Sequence, residues 1–288
     1  MKIATLKLST TLLILMTLGC ATTQQRQLKM TSLILEKDKE ETDAGQFFVK
    51  AKFDGQEERC FLDTGATTTT VKATSFFAAY TAIRESKFMG ISGKPAIASR
   101  IQVGDIQVGE NHFQDQQIVR LPNEKGMLST LGIDLFQNQR VGFELKDHRL
   151  ILPMTEKTSY PFHVGQKGHI IVPVTLGNGS AQMIWDTGAG LTTIDQKFIS
   201  DHAGSFQFIK NISVGDALVD GATVMKLYLV SDVVIGHLHM KNVKVLGADF
   251  TAIQEKLNDA SIVGAVGFNV LASYNWYFDM KSKTYSVK

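Results

Sequence analysis

From Gln46 the chain takes on a two-residue rhythm, with Phe48, Ala51 and Phe53 standing among Lys50, Lys52 and Asp54. That roughly alternating pattern predicts a strand with one buried face. Asp54-Gly55 supplies a turn signal, and Glu58 to Leu62 reads as the returning strand of a hairpin. The arrangement recurs: His169 to Leu176 is a β-rich run, Gly177-Asn178-Gly179 is its turn, and Ala181 to Trp185 returns. Both hairpins lead into one tetrapeptide, Asp63-Thr64-Gly65-Ala66 and then Asp186-Thr187-Gly188-Ala189, 123 positions apart. A threonine-bearing run ending in an aliphatic residue follows each, Thr67 to Val71 and Leu191 to Ile194.

The echo continues downstream. Ile106-Gln107-Val108-Gly109 with His112 matches Val233-Val234-Ile235-Gly236 with His239 at an offset of 127. Leu131-Gly132-Ile133-Asp134-Leu135 matches Val266-Gly267-Phe268-Asn269-Val270, and Gly142 to Lys146 matches Tyr277 to Lys281, both at an offset of 135. Four landmarks in one order, with an offset that grows only where loops lengthen, mark an internal duplication. Helical pattern is sparse, with candidates at Ala73 to Ile83, Gln196 to Ala203 and Asp249 to Leu257. The fold class that follows is all-β: two mainly antiparallel β domains, 45–153 and 169–288. A Pro- and Gly-bearing linker over 154–168 joins them, and a polar tether over 20–44 precedes them. The charge run Glu36 to Glu41 within that tether reads as solvated, while Ser32 to Leu35 has the composition of an edge strand.

Composition adds the compartment. At 288 residues, 44% hydrophobic and 20% charged, the chain is globular and long enough for two cores. Residues 1–19 stand apart: Lys2 and Lys7 precede the apolar run Leu12 to Leu18, which is short for a membrane span, and Gly19 precedes Cys20. This segment resembles a bacterial lipoprotein signal, although Thr17 stands where the commonest form has leucine. The resemblance implies cleavage before Cys20, lipidation of that cysteine, and anchoring in the bacterial cell envelope, at the outer membrane facing the periplasm. An ordinary signal peptide and an uncleaved anchor are the alternatives. Cleavage there removes two lysines and no acids, so the formal charge falls from +2 to 0 and gives no electrostatic case for nucleic acid. Cys20 and Cys60 are the only cysteines, too few for a disulfide framework. Cys60 reads as a buried apolar filler. No zinc-type Cys/His spacing is present, and His237 and His239 read as exposed strand histidines, so no metal or other cofactor is expected. Trp185 and Trp276 lie in apolar runs and read as core.

The repeated aspartate is the candidate chemistry. Two carboxyls within about 3 Å cannot both ionise, so one keeps a proton and the other does not. An acid and a base at one place can move protons to and from a water and a carbonyl oxygen, with no covalent intermediate. Gly65 and Gly188 permit a turn with no side chain between the carboxyls. Thr64 and Thr187 offer hydroxyls that can bond across to the opposite loop and hold the halves in register.

Hydrophobic-hydrophobic-Asp-Thr-Gly-Ala, followed by Leu131-Gly132 in one copy and Val266-Gly267 in the other, resembles the aspartic peptidases of the retropepsin and pepsin clan. The halves are retropepsin-sized, with Ala after the Gly, but both are carried in one chain as in pepsin-like enzymes. The resemblance covers roughly 45–288 and implies two tandem retropepsin-like β-barrel domains in a bilobal, pepsin-like arrangement. It implies an endopeptidase acting as a monomer on a polypeptide substrate, with Asp63 and Asp186 as catalytic pair and Thr64, Gly65, Thr187 and Gly188 in support. It also implies a flap, for which Phe88 and Met89-Gly90-Ile91-Ser92-Gly93 are the candidate tip, with a looser counterpart between Val214 and Gly221. Phe61 and Trp185 are bulkier than the usual residues before the loop, and Thr67 and Gly190 stand where retropepsins carry an acid. The alternatives are a noncatalytic envelope lipoprotein that holds extended peptides by strand addition, and a homodimer with its sites between chains.

Overall fold

The computed structural model describes residues 28–89, 95–122, 128–216 and 219–288. At 55% strand and 12% helix the chain is all-β. Both hairpins anticipated from the alternation form. Gly45–Phe53 pairs antiparallel with Gln56–Leu62, and Asp54 and Gly55 take φ of 46° and 90°. Two positive φ values in a two-residue turn match the right-handed twist of the flanking strands. Ile170–Leu176 pairs likewise with Gly179–Trp185 around Gly177-Asn178.

Two eight-stranded sheets have the same spatial order. The first runs Ile34–Lys37, Gly45–Phe53, Gln56–Leu62, Thr130–Leu131, Thr70–Lys72, Asn111–Leu121, Pro95–Val108, Arg84–Met89. The second runs His163–Val164, Ile170–Leu176, Gly179–Trp185, Ile262–Val266, Thr193–Asp195, Leu238–Ala248, Val219–Ile235, Phe206–Asp216. In each, the second strand also pairs with the seventh, which closes six strands into a ring. Closure leaves few free strand edges and aims alternate side chains inward. In both rings the strand that enters the Asp-Thr-Gly loop lies parallel to the short strand carrying Leu131 or Val266.

A third, six-stranded sheet is built from both halves: Lys29–Ser32, Arg149–Leu152, Arg140–Glu144, Asn275–Asp279, Thr284–Val287 and Tyr160–Pro161. Its central pair places Gly142 opposite Tyr277 and Phe143 opposite Trp276, so the duplicated segments meet each other. Its inner face carries Val141, Phe143, Trp276 and Phe278, all fully buried. Trp185 packs there, with ring centroids 4.9 Å from Phe143 and 4.8 Å from Phe278. Trp185 and Trp276 are core, and the bulk of Trp185 fills the space where the two halves share one hydrophobic cluster. Phe61 lies on the other face of its strand, against Phe48 at 5.6 Å.

Several expectations change. The polar tether over 20–44 does not persist past Lys29, because Lys29–Ser32 and Ile34–Lys37 are paired strands. The charge run beyond them is pinned: Asp38 Oδ1 accepts from the backbone N–H of Glu40 and Glu41, and Lys244 bridges Glu41 at 2.7 Å and Asp43 at 2.9 Å. The linker over 154–168 is stitched into two sheets through Tyr160–Pro161 and His163–Val164. The division near residue 153 therefore falls within a sheet that both halves build. The helix candidate Ala73 to Ile83 shortens to Ser75–Ala78, with Arg120 Nη1 donating to the carbonyls of Phe77, Ala78 and Tyr80 at its end. Phe268–Leu271 and the 3-10 turn Ile133–Phe136 were not foreseen, since one turn is too short to show a helical period. The signal segment and Cys20 lie outside the described residues.

The shared core makes a checkable demand. Trp276→Ala removes a fully buried indole whose Nε1 donates to Leu271 O at 3.0 Å. It should cost about 3–5 kcal/mol in urea unfolding, and a loss below about 1 kcal/mol would show that the shared sheet does not hold the halves together.

Candidate active site

Each Asp-Thr-Gly loop is fixed by the same bonds. Asp63 N donates to Leu131 O at 3.0 Å, and Asp186 N donates to Val266 O at 3.1 Å. Past the loop, Ile133 N donates to Ala66 O at 2.9 Å and Phe268 N donates to Ala189 O at 2.7 Å. The next residues repeat the pattern. Thr69 donates its N–H and its hydroxyl to the Asp134 carboxylate, both at 2.8 Å, and Thr192 makes the same two bonds to Asn269 Oδ1 at 2.7 and 2.9 Å. Gly132 N and Gly267 N each donate to the matching threonine hydroxyl at 3.1 Å. The Leu-Gly and Val-Gly landmarks are the braces of the two loops.

The loops then lock to each other. Thr64 N donates to Thr187 Oγ1 at 3.1 Å and Thr187 N donates to Thr64 Oγ1 at 3.0 Å. Each hydroxyl donates onward across the divide, Thr64 Oγ1 to Trp185 O at 2.9 Å and Thr187 Oγ1 to Leu62 O at 2.8 Å. Both threonines are buried. Every donor and acceptor in this crossed set has a partner, which is the condition for a buried polar network to rigidify its surroundings.

That lock brings the aspartates face to face. A Cβ at Gly65 would clash with the carboxyl of Asp186, and one at Gly188 with that of Asp63. Gly65 N donates to Asp186 Oδ1 at 3.1 Å and Gly188 N donates to the same oxygen at 2.8 Å, while Ala66 N donates to Asp63 Oδ1 at 2.9 Å. The two carboxyls lie close enough to shift each other's titration. Both keep a partly exposed edge while dense protein surrounds the rest. That density dominates: burial, and then the facing charge of Asp186, push the Asp63 carboxyl well above the usual carboxylate range. Burial also raises Asp186, opposed by the Gly188 N–H, the neighbouring Asp63 carboxyl, the nearby His169 and the Gly65 N–H. Such a pair holds one proton between two carboxyls and titrates as a unit.

His169 is the residue that the sequence did not mark. It is 8% exposed, and its Nε2 lies 3.0 Å from Gly65 O. A carbonyl oxygen only accepts, so Nε2 carries the hydrogen. Nδ1 is buried with no partner. The one available signal was asymmetry: the position 123 residues earlier holds Gln46.

The other candidates fall elsewhere. Met89 ends the strand Arg84–Met89, opposite Pro95. Gly90, Ile91, Ser92 and Gly93 lie outside the described residues, as do residues 217 and 218 of the second flap candidate, whose Val214 and Gly215 pair with Thr223 and Ala222. His237 sits in the turn after Gly236 and not on a strand, tilted against Tyr160 at 5.8 Å. His239 lies on Leu238–Ala248, with Nε2 2.7 Å from Asp232 Oδ1. Among the described residues no group of three or more His, Cys, Asp or Glu is placed to hold a metal ion. Cys60 is buried, and burial pushes its thiol up, away from reactivity.

The shared proton sets a pH dependence. An unfolded aspartate releases its proton near 3.9, whereas the folded pair holds one to higher pH, so over that window the folded state binds more protons. Stability is therefore full below about pH 4 and falls as pH rises through the upper titration of the pair, by up to about 1.4 kcal/mol per pH unit. Asp63→Asn should flatten the decline in melting temperature between pH 4 and 8, and equal slopes in variant and parent would refute a shared proton. No protein-family model and no curated protein matches the chain.

Proposed function

We propose that the chain is an aspartic-type endopeptidase, built as two retropepsin-like β-barrel halves in a bilobal, pepsin-like arrangement within one chain. The observation that carries the reading is the pair of carboxyls, each set against the glycine of the opposite loop and delivered by equivalently braced loops that threonines lock together. Water held between the carboxyls gives a proton to the ionised member as its oxygen attacks the amide carbon, while the protonated member gives its proton to the carbonyl oxygen. The resulting gem-diol returns that proton as the C–N bond breaks, and the first carboxyl, now protonated, delivers its proton to the leaving nitrogen. The protein supplies positioning and the split protonation; no bond to the enzyme forms.

The strand pairs Arg84–Met89 with Pro95–Val108 and Phe206–Asp216 with Val219–Ile235 occupy matching places in the two sheets and suit the role of covers over an extended substrate. Ile212, Val214 and Met225 of the second pack against the buried cluster of Leu191, Leu227 and Leu246, in which Leu191 lies two residues past Ala189. Ile97 on the first and Val224 on the second, 63% and 71% exposed, present aliphatic surface at positions related by the same offset of 127. Lipidation at Cys20 would leave eight residues before the strand that begins at Lys29, a reach of at most about 28 Å. The body of the enzyme would then work close to the envelope membrane.

Asp63→Asn and Asp186→Asn should each reduce cleavage of an unfolded protein substrate by at least about 10²–10⁴-fold, the range for losing a general acid or base. Activity retained in both variants, or saturable peptide binding with no turnover by the parent, would overturn the assignment. Cys20→Ala in the expressing bacterium should move the protein from the membrane fraction to the soluble fraction; an unchanged distribution would refute the anchor.

A further inference from the structure

The two halves of the site share their crossed threonine bonds and the pattern of their braces, but differ at the residue that enters each hairpin. Strand registers set Phe48 opposite Phe61 and Ile171 opposite Ile184, so Gln46 and His169 are equivalent positions at the entrances to the two hairpins. Gln46 makes no side-chain hydrogen bond among the described residues, whereas His169 Nε2 donates across to the carbonyl of Gly65 in the opposite loop. The N–H of that same Gly65 donates to Asp186 Oδ1. Asp186 Oδ1 thus receives two backbone N–H groups, from Gly65 and Gly188, whereas Asp63 Oδ1 receives that of Ala66, with the Gly65 N–H favouring its ionised form more weakly. Backbone donors favour the ionised form of a carboxyl.

We propose that His169 is a positioning residue of the pair, holding the Gly65 peptide so that Asp186 is the member that gives up its proton and Asp63 the member that keeps it. The inference rests on the peptidase reading and deepens it by assigning the base to Asp186 and the acid to Asp63. The charged groups around the ring are Asp186 and its partner Asp63 on the two loops, and Lys256 on the helix Thr251–Leu257, with Lys167 beside that lysine. Burial and Lys256 disfavour the imidazolium, while Asp186 and the bond to Gly65 favour it. The bond to Gly65 survives titration of the ring, because Nε2 carries a hydrogen in both forms; only the orphan Nδ1 gains one. His169 therefore acts in two separable ways, by a hydrogen bond at every pH and by a positive charge beside Asp186 at acidic pH.

His169→Gln and His169→Phe separate them. Phe removes both, and kcat at the plateau of the pH profile should fall about 10–100-fold with KM little changed, the scale of a small misplacement of reacting groups. Gln keeps an N–H donor and should recover most of that loss. Neither variant carries the charge, so in both the acidic limb of kcat/KM should move to higher pH. A plateau unchanged in His169→Phe, or an acidic limb unmoved in His169→Gln, overturns the proposal. A second measurement is independent of catalysis: the His169 ring nitrogens, followed by NMR through a pH titration, should titrate at lower pH in Asp186→Asn than in the parent. An unchanged midpoint overturns the proposal even where the peptidase reading stands, and a lowered midpoint supports the contact even in a protein that cleaves nothing.

Discussion

The crossed hydrogen bonds between Thr64 and Thr187 are the constraint on which the rest depends. Each threonine satisfies the backbone N–H of the other and a carbonyl one strand back, at Trp185 or Leu62. Because these groups are buried, losing one hydroxyl leaves partners unpaired in a place where each costs about 1–3 kcal/mol. The network therefore permits one relative placement of the loops. Two carboxyls that would repel each other if both ionised are held where they must share a proton.

The surrounding architecture is the means of keeping that placement. Each loop ends a strand of a closed six-stranded ring and is braced from behind by a second loop through Thr69 and Asp134 in one half, and Thr192 and Asn269 in the other. The rings are joined by a sheet drawn from both halves, with Trp185 seated between Phe143 and Phe278 directly behind Asp186. A large aromatic at that point is therefore a consequence of the shared core. The raised titration of the pair is the energetic cost of the arrangement, since removing one charge from so dense a setting is easier than keeping both.

Much of this was legible in the sequence because strands write their burial in a period of two and turns write theirs in Gly, Asn and Asp. The hairpins before Asp63 and Asp186, the duplicated landmarks and the core placement of Trp185 and Trp276 could be read that way. The edge strand read at Ser32 to Leu35 forms as Ile34–Lys37, but Lys29–Ser32 and the partners of both strands could not be read, because edge strands amid Lys and Glu take their order from segments distant in the chain. The same holds for Tyr160–Pro161 and His163–Val164, whose Pro- and Gly-rich surroundings look like a connection until both strands find their sheets. His169 was invisible for a different reason: its role lies in a bond to a carbonyl 104 residues away, and nothing local marks it.

The claim at the centre is that Asp63 and Asp186 form one proton-sharing pair. The carboxyl carbon resonances of the two residues, titrated by NMR from pH 2 to 9 in the intact protein, test it most directly. Two well-separated steps are expected, with both resonances moving in each and the upper step well above the usual carboxylate range. Two independent single steps near 3.9, the value of an unperturbed aspartate, would contradict it.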